Sequence, residues 1–318
     1  MIGIVSYGFY LPIWRITTKE IASVDEDSLT MAFESSSLAL KNFPDKKEKI
    51  EFVFFGSETP PYAVNPASTI LAEFLGLKNN YLGSDHQFAC KAATGALISG
   101  LGLIKSNLFE YGLVVSSDKA TGKPHDALEY TAASGSVALI IGKKNVALEI
   151  SDQQSFSSDT PDFWRREGIR YPSHGGRFTG KPSYFYHINQ ASKLLLKKTN
   201  LKPKDFSYAI FHMPNGKFPQ EVAFGLGFEK KQIEKSLVVS YLGNSYTASA
   251  LMGLTSVLEE AKTGDLIFFC SYGSGAGSDA FVFKVTENLE KVRVSFKSLV
   301  ENKKYITYPT YLKFMGMI

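Results

Sequence analysis

The same order of segments is written twice along this chain of 318 residues, and nothing else in it narrows the fold as far. In the first half a helical pattern over about 28–42 is followed by the apolar run 51–56, a segment opening at Pro66, a helix beginning at Cys90 and the run 111–116. From Tyr186 the order recurs: a helix over 186–200, the run 208–212, a segment opening at Pro219, a helix opening at Asn244 and the run 266–271. Each half closes on one more strand pattern, 135–142 and 279–285. Glu73-Phe-Leu-Gly-Leu is echoed by Phe224-Gly-Leu-Gly-Phe, in keeping with duplication of one unit. The alternation predicts an α/β fold with its sheet packed between helices, divided into halves over 1–150 and 151–318.

Duplication has a chemical consequence. Glu58 and His212 then end equivalent strands, while Cys90 and Asn244 open equivalent helices. Strand ends and helix starts converge on the crevice of an α/β sheet, so all four side chains are expected to meet there. Cys90 lies in Asp85-His-Gln-Phe-Ala-Cys90-Lys-Ala-Ala-Thr-Gly, which reads as an irregular segment turning into an apolar helix whose unpaired amides favour a thiolate. Its small neighbours Ala89, Ala92, Ala93 and Gly95 leave room for a ligand and speak against a merely structural cysteine. The Pro-Asn-Gly turn after His212 holds an imidazole at a mouth; the alternative is a histidine that caps the turn. Glu58 reads as a partly buried carboxyl with the raised pKa a base needs near neutral pH, or else as a surface residue at a strand end. Cys, His and Glu together point to acyl transfer with proton abstraction.

Other features call for plainer readings. Cys270 lies in an apolar run and suits a core thiol, and two cysteines make no disulfide framework, as in a reducing cytosol. His86, His125, His174 and His187 show no metal spacing and read as surface or packing residues. Tyr272-Gly-Ser-Gly-Ala-Gly-Ser-Asp joins two strands rather than a strand and a helix, so it lacks the setting of a dinucleotide site and reads as a tight turn approaching the cysteine. Residues 151–181 are polar and rich in Gly, Pro and aromatics, a lid or partner surface or else a plain crossover. A net charge of +4 with dispersed Lys and Arg speaks against nucleic acid, and no apolar run is long enough for a membrane span or signal peptide.

In their order, Gly-Ile-Val-Ser-Tyr-Gly, Gly-Ser-Glu58 with Pro-Tyr-Ala-Val, Phe-Ala-Cys90-Lys-Ala, Glu129-Tyr-Thr-Ala-Ala, His-Gly-Gly-Arg-Phe-Thr-Gly, the stretch from His212 to Pro219, Gly-Asn244-Ser-Tyr and Gly-Ser-Gly-Ala-Gly-Ser-Asp-Ala-Phe resemble the archaeal-type hydroxymethylglutaryl-CoA (HMG-CoA) synthases of the thiolase superfamily. The resemblance implies a thiolase fold, a duplicated five-layer αβαβα architecture, in a cytoplasmic homodimer serving the mevalonate pathway. It implies no tightly bound cofactor and no metal, with acetyl-CoA and acetoacetyl-CoA as substrates. Cys90 would carry the acetyl group, Glu58 would take a proton from its methyl, and His212 would orient and protonate the alkoxide formed on the acceptor. Amides near Cys90 and Gly275, with Asn244, would stabilise thioester oxygens. Lys217 would meet the CoA phosphates, and Asn215 and Ser245 complete the substrate-binding set. Association with an acetoacetyl-CoA thiolase and a small OB-fold protein is also implied.

The chain departs from that pattern at Met213, Lys181 and, most of all, after Glu20-Ile-Ala-Ser23, where it passes almost directly to Val-Asp-Glu-Asp-Ser-Leu-Thr and omits a stretch. A ketoacyl synthase of the same superfamily would use Cys90, His212 and Asn244, but Glu58 argues against it. A catalytically silent scaffold with this fold is the remaining alternative.

Overall fold

A computed structural model of the chain describes residues 1–17 and 19–318. Strands Gly3–Tyr10 and Leu148–Ser157 lie side by side, joined over only two residue pairs, Gly3 with Glu149 and Ile4 with Leu148. From this narrow seam two arms run outward with the same sequence of directions. On one arm Ser134–Gly142 is antiparallel to its inner neighbour, Tyr111–Lys119 antiparallel to that, and Ile50–Gly56 parallel to Tyr111–Lys119. On the other, Gly277–Val285, Leu266–Cys270 and Tyr208–Phe211 follow the same rule. The first arm carries one extra edge strand, Leu82–His86, parallel to Ile50–Gly56.

Period-two alternation along the strands separates three apolar cores. Phe52 and Phe54 face the middle of the molecule, where helices Ala92–Lys105 and Ser249–Leu258 are wedged between the two arms. Val53 and Phe55 face outward onto helices Ser28–Lys41 and Ala67–Phe74. Phe211 and Phe268 likewise face helices Tyr186–Thr199 and Phe218–Leu226. Helices, half-sheet, helices, half-sheet and helices stack as five layers. Both central helices are nearly free of charge, with Lys105 at the end of one; Ser249–Leu258 is buried on all sides and Ala92–Lys105 on all but the face of Ser99 and Gly102.

Two expectations change. The segment before Cys90 is strand as far as His86 and irregular only over residues 87–91, from which helix Ala92–Lys105 starts. The supposed loop 151–181 begins as strand: Leu148–Ser157 crosses position 150 and pairs with Gly277–Val285 along its length. What remains of it contains the short antiparallel pair Phe163–Trp164 and Ser173–His174 and a π-helical turn, Gly180–Phe185. Beyond residue 286, helices and a small sheet of Trp14–Ile16, Lys19–Ile21 and Lys304–Tyr305 pack a satellite core around Ile21, Tyr311 and Met315. The shortened connection after Ser23 is a tight turn closed by Asp27, whose carboxylate caps helix Ser28–Lys41 through the amides of Leu29 and Thr30. Among the described residues no helix is long and apolar enough to cross a membrane.

Candidate active site

Glu58 leaves the end of strand Ile50–Gly56. At Gly56 a Cβ would stand 2.5 Å from the Ala93 nitrogen, so glycine lets the start of helix Ala92–Lys105 rest directly on the strand end and brings Cys90 to Glu58. Ala89, just before Cys90, has φ of +46, the left-handed region that a non-glycine residue rarely adopts. The Gly-rich turn approaches from the other half: a Cβ at Gly273 would stand 2.5 Å from the Phe88 carbonyl oxygen. Lys91 and Asp279 form a buried ion pair of 2.9 Å, and Thr94 donates to the same carboxylate at 2.7 Å, locking the Cys90 helix onto the second half.

His212 follows strand Tyr208–Phe211. Its N–H donates to the Cys270 carbonyl at 2.9 Å and its carbonyl accepts from the Tyr184 hydroxyl at 2.7 Å. Only its backbone is pinned by these bonds. The Nδ1 is buried without a hydrogen-bond partner among the described residues. Asn244 accepts the Tyr246 N–H on its Oδ1 at 3.0 Å, which leaves its amide N–H groups to face outward.

Cys90, His212 and Asn244 line one cavity of about 250 Å³, together with Asn215, Phe218 and His174. His174, read from sequence as a surface or packing residue, therefore belongs to the cavity wall, where its Nε2 lies 3.0 Å from Asp126. Glu58 and Gly275 line a second cavity of about 490 Å³, which shares Phe163 and Ser274 with the first. The Glu58 carboxyl and the Cys90 thiol lie near enough to shift each other's pKa, and Glu58 Oε1 is buried without a hydrogen-bond partner among the described residues. Gly275 has φ of +81, and a Cβ there would stand 3.1 Å from the Phe163 and Thr160 carbonyl oxygens. Asn215 spends its Oδ1 on the amides of Lys217 and Phe218 at 2.9 and 3.0 Å, Lys217 is exposed beside the cavity, and Ser245 is buried behind Asn244, outside the cavity wall.

Burial dominates the electrostatics. It pushes the Glu58 carboxyl up to about 8, with repulsion from Asp118 adding to the rise and the neighbouring Cys90 thiol and Arg165 opposing it. It pushes His212 down to about 3. The Cys90 thiol is driven well above its ordinary value, by burial first and then by the negative charge of Glu58. The helix dipole that favours a thiolate is outweighed, because the thiol is desolvated and faces a carboxyl.

Asp118 escaped sequence reading. Wholly buried at the end of strand Tyr111–Lys119, it accepts from Ser57 Oγ, Glu58 N and Thr59 Oγ1 at 2.7 to 2.8 Å on one oxygen and from Thr247 N and Oγ1 at 2.9 and 2.6 Å on the other. It ties the Glu58 turn to the turn after Asn244. An aspartate shortly after the apolar run 111–115 was the available signal.

Two curated relatives decide the family. The hydroxymethylglutaryl-CoA synthase of Methanosarcina barkeri is 46% identical over 100% of this chain and 99% of its own length, and that of Methanopyrus kandleri 45% identical over 98% and 96%. The chain belongs to the hydroxymethylglutaryl-CoA synthase family. Both alignments extend beyond 318 positions, to 344 and 337, so these family members carry residues with no counterpart here. The solved structure of MvaS in complex with 3-hydroxy-3-methylglutaryl coenzyme A superposes with a TM-score of 0.91 at 19% identity, covering 100% of this chain and 92% of that one, and shows the shared thiolase fold. Residues 196–285 also match the family described as 3-oxoacyl-acyl-carrier-protein synthase III C terminal, the superfamily kinship expected of the half that holds His212 and Asn244.

Proposed function

We propose that this HMG-CoA synthase family member condenses acetyl-CoA with acetoacetyl-CoA to give 3-hydroxy-3-methylglutaryl-CoA, the mevalonate-pathway step, through an acetyl group carried on Cys90. The observation that carries this reading is a carboxyl of raised pKa against a buried thiol, beside a cavity that also presents His212 and Asn244. Cys90 Sγ attacks the acetyl carbonyl, the bond to CoA breaks, and the thiol proton leaves with CoA. Asn244 N–H groups and backbone amides near Cys90 and Gly275 hold the thioester oxygen. Glu58 takes a proton from the acetyl methyl, and a carboxyl near 8 is a far stronger base than an exposed one. The new carbanion attacks the ketone of acetoacetyl-CoA. His212, kept neutral by burial, orients that ketone and donates to its oxygen, and the proton held by Glu58 is the one available to neutralise the alkoxide. Water then frees the product and returns the thiol.

Lys217, exposed where Asn215 and Phe218 edge the cavity, suits the CoA phosphates, and Asn215 and Ser245 keep supporting roles in substrate binding. The two halves, 1–150 and 151–318, supply Glu58 with Cys90 and His212 with Asn244. The unpaired edge of Leu82–His86 offers a surface for a second copy in a cytoplasmic homodimer. An acetoacetyl-CoA thiolase and a small OB-fold protein are the expected partners, and they compensate for the short turn after Ser23. Added partners should then raise condensation relative to acetyl-CoA hydrolysis, and an unchanged product ratio would remove that role.

A ketoacyl-synthase reading is favoured by the match over residues 196–285 alone. Incubation of the purified chain with acetyl-CoA and acetoacetyl-CoA, with products identified by mass, separates the two. HMG-CoA is the expected product, and its absence together with decarboxylative condensation of a malonyl thioester would establish the alternative.

A further inference from the structure

Four cationic side chains, Lys119, Arg165, Arg170 and Lys313, line a cavity of about 470 Å³ that shares no residue with the one around Cys90. It opens beside the shortened turn after Ser23, with Val24 and Asp27 on its wall. Among the described residues none of the four cations belongs to an ion pair. Asp27 is the one carboxylate described on the lining, and its Oδ1 is spent on the amides of Leu29 and Thr30 at 2.9 and 2.8 Å. Glu26, next to it, accepts the Ser23 N–H at 2.6 Å and the Tyr10 hydroxyl.

Backbone carbonyl oxygens hold three of these cations, which fixes the groups without cancelling their charge. Lys119 Nζ donates to the Ser23 and Glu26 carbonyls at 3.0 and 2.7 Å. Arg170 donates to the Gly316 carbonyl at 2.7 Å, and Arg165 to the Glu58 and Ile169 carbonyls at 2.9 and 3.4 Å. An ammonium has three N–H donors and a guanidinium five, so each keeps donors to spare. The cluster repels itself: burial pushes the Lys119 ammonium below its ordinary value, and the charge of Arg170 adds to the fall against the pull of Glu26, Asp27 and Asp25. Like charges gathered around one concavity leave an unbalanced positive field in it.

We propose that this cavity is a binding site for a free phosphate-bearing polyanion, of the size and charge of pyrophosphate, separate from the site for CoA. The cations approach from three segments: the end of strand Tyr111–Lys119, the chain after Phe163–Trp164 and helix Tyr308–Phe314. A ligand with oxygens on several sides satisfies such a set, and guanidinium forks match phosphate oxygens in pairs, whereas a single carboxylate meets the cluster from one side alone. The volume falls within the range of small-ligand clefts. Arg165 links the site to the catalytic turn, since it lines both this cavity and the one behind Glu58 and holds the Glu58 carbonyl. A bound anion therefore draws on the same guanidinium that steadies the Glu58 turn. The site does not depend on the reaction assigned to Cys90.

The test is calorimetric titration of the full-length chain with pyrophosphate, without added metal, alone and in saturating CoA. The wild type should bind pyrophosphate with the same affinity in both conditions, and inorganic phosphate more weakly. Lys313→Gln should weaken binding at least about tenfold, the scale of one lost charge-assisted contact, and Arg170→Gln in addition should weaken it further. Lys193→Gln, which removes an exposed lysine of helix Tyr186–Thr199 outside the cavity, should leave the affinity unchanged. Should Arg170→Gln fail to fold for want of its Gly316 contact, judged by its melting transition, Lys313→Gln carries the test alone, because the Lys313 side chain makes no hydrogen bond or ion pair among the described residues. No binding at millimolar pyrophosphate, an affinity untouched by Lys313→Gln, or equal weakening by Lys193→Gln overturns the site. Displacement of pyrophosphate by CoA overturns it as well, because the phosphates recognised there are then those of CoA.

Discussion

Glu58 and His212 stand at the ends of corresponding strands in the two arms, and burial acts on them in opposite directions. The carboxyl rises to about 8 and the imidazole falls to about 3, so both are driven toward their neutral forms. The neighbourhoods differ. Glu58 sits beside Asp118, Cys90 and Arg165, whereas His212 has burial as its sole cause of shift, and each keeps one buried side-chain atom, Oε1 and Nδ1, without a partner among the described residues. One duplicated frame thus holds a strong base in the first half and a neutral hydrogen-bonding group in the second. The difference teaches that equivalent backbone positions acquire distinct chemistry from the charges packed around them, not from the positions themselves.

The largest expected effect separates base from nucleophile. Glu58→Gln should still take acetyl on Cys90 but condense about 10² to 10⁴ times more slowly, the contribution of a positioned general base. Condensation near the wild-type rate, measured by product mass, would reduce Glu58 to a strand-end residue and erase the contrast between the arms.

The crowding of Glu58 can be sharpened through Asp118. Condensation that requires ionised Glu58 should climb with pH up to about 8, close to tenfold per unit below it. Asp118→Asn removes a negative charge that raises the Glu58 pKa, so the rising limb of kcat/KM should move toward acid while overall activity drops through loss of the Ser57, Thr59 and Thr247 contacts. An unmoved limb would show that burial alone sets the Glu58 pKa.

The smallest effect is on stability, and it has opposite signs in the two arms. Glu58 holds its proton in the folded state up to about 8 but loses it near 4.5 when unfolded, so its contribution weakens as pH rises between those values. His212 stays neutral when folded down to about 3 but charges near 6.5 when unfolded, so its contribution weakens as pH falls from 6.5. Each limb has a slope of up to ~1.4 kcal/mol per pH unit. In denaturant melts Glu58→Gln should flatten the alkaline side and His212→Asn the acid side. Equal flattening of both sides by either variant would contradict the separate titrations.

Long periodic segments were legible because apolar residues at helix or strand spacing have one buried face to satisfy. The strands that end just before Glu58 and His212 were of this kind, as were the helices that follow Cys90 and Asn244, although these start at Ala92 and Ser249 rather than at Cys90 and Asn244 themselves. Leu82–His86 and the polar stretch Asp152-Gln-Gln-Ser were not, since they are strands by pairing: one takes the edge beside Ile50–Gly56 and the other is held along Gly277–Val285. Asp118 and Asp162 escaped for a related reason. Each works by collecting hydroxyl donors from segments far apart in the chain, 129 residues apart in the case of Asp118 and Thr247 and 112 for Asp162 and Ser274, and such distances leave no local pattern.

The division of labour between the arms depends on Cys90 being the acyl carrier. Acetyl-CoA supplied alone should add one acetyl group, mapped by peptide mass to Cys90, and Cys90→Ser should abolish it. Acetylation elsewhere with Cys90 untouched, or persistence of the adduct in Cys90→Ser, would contradict that role.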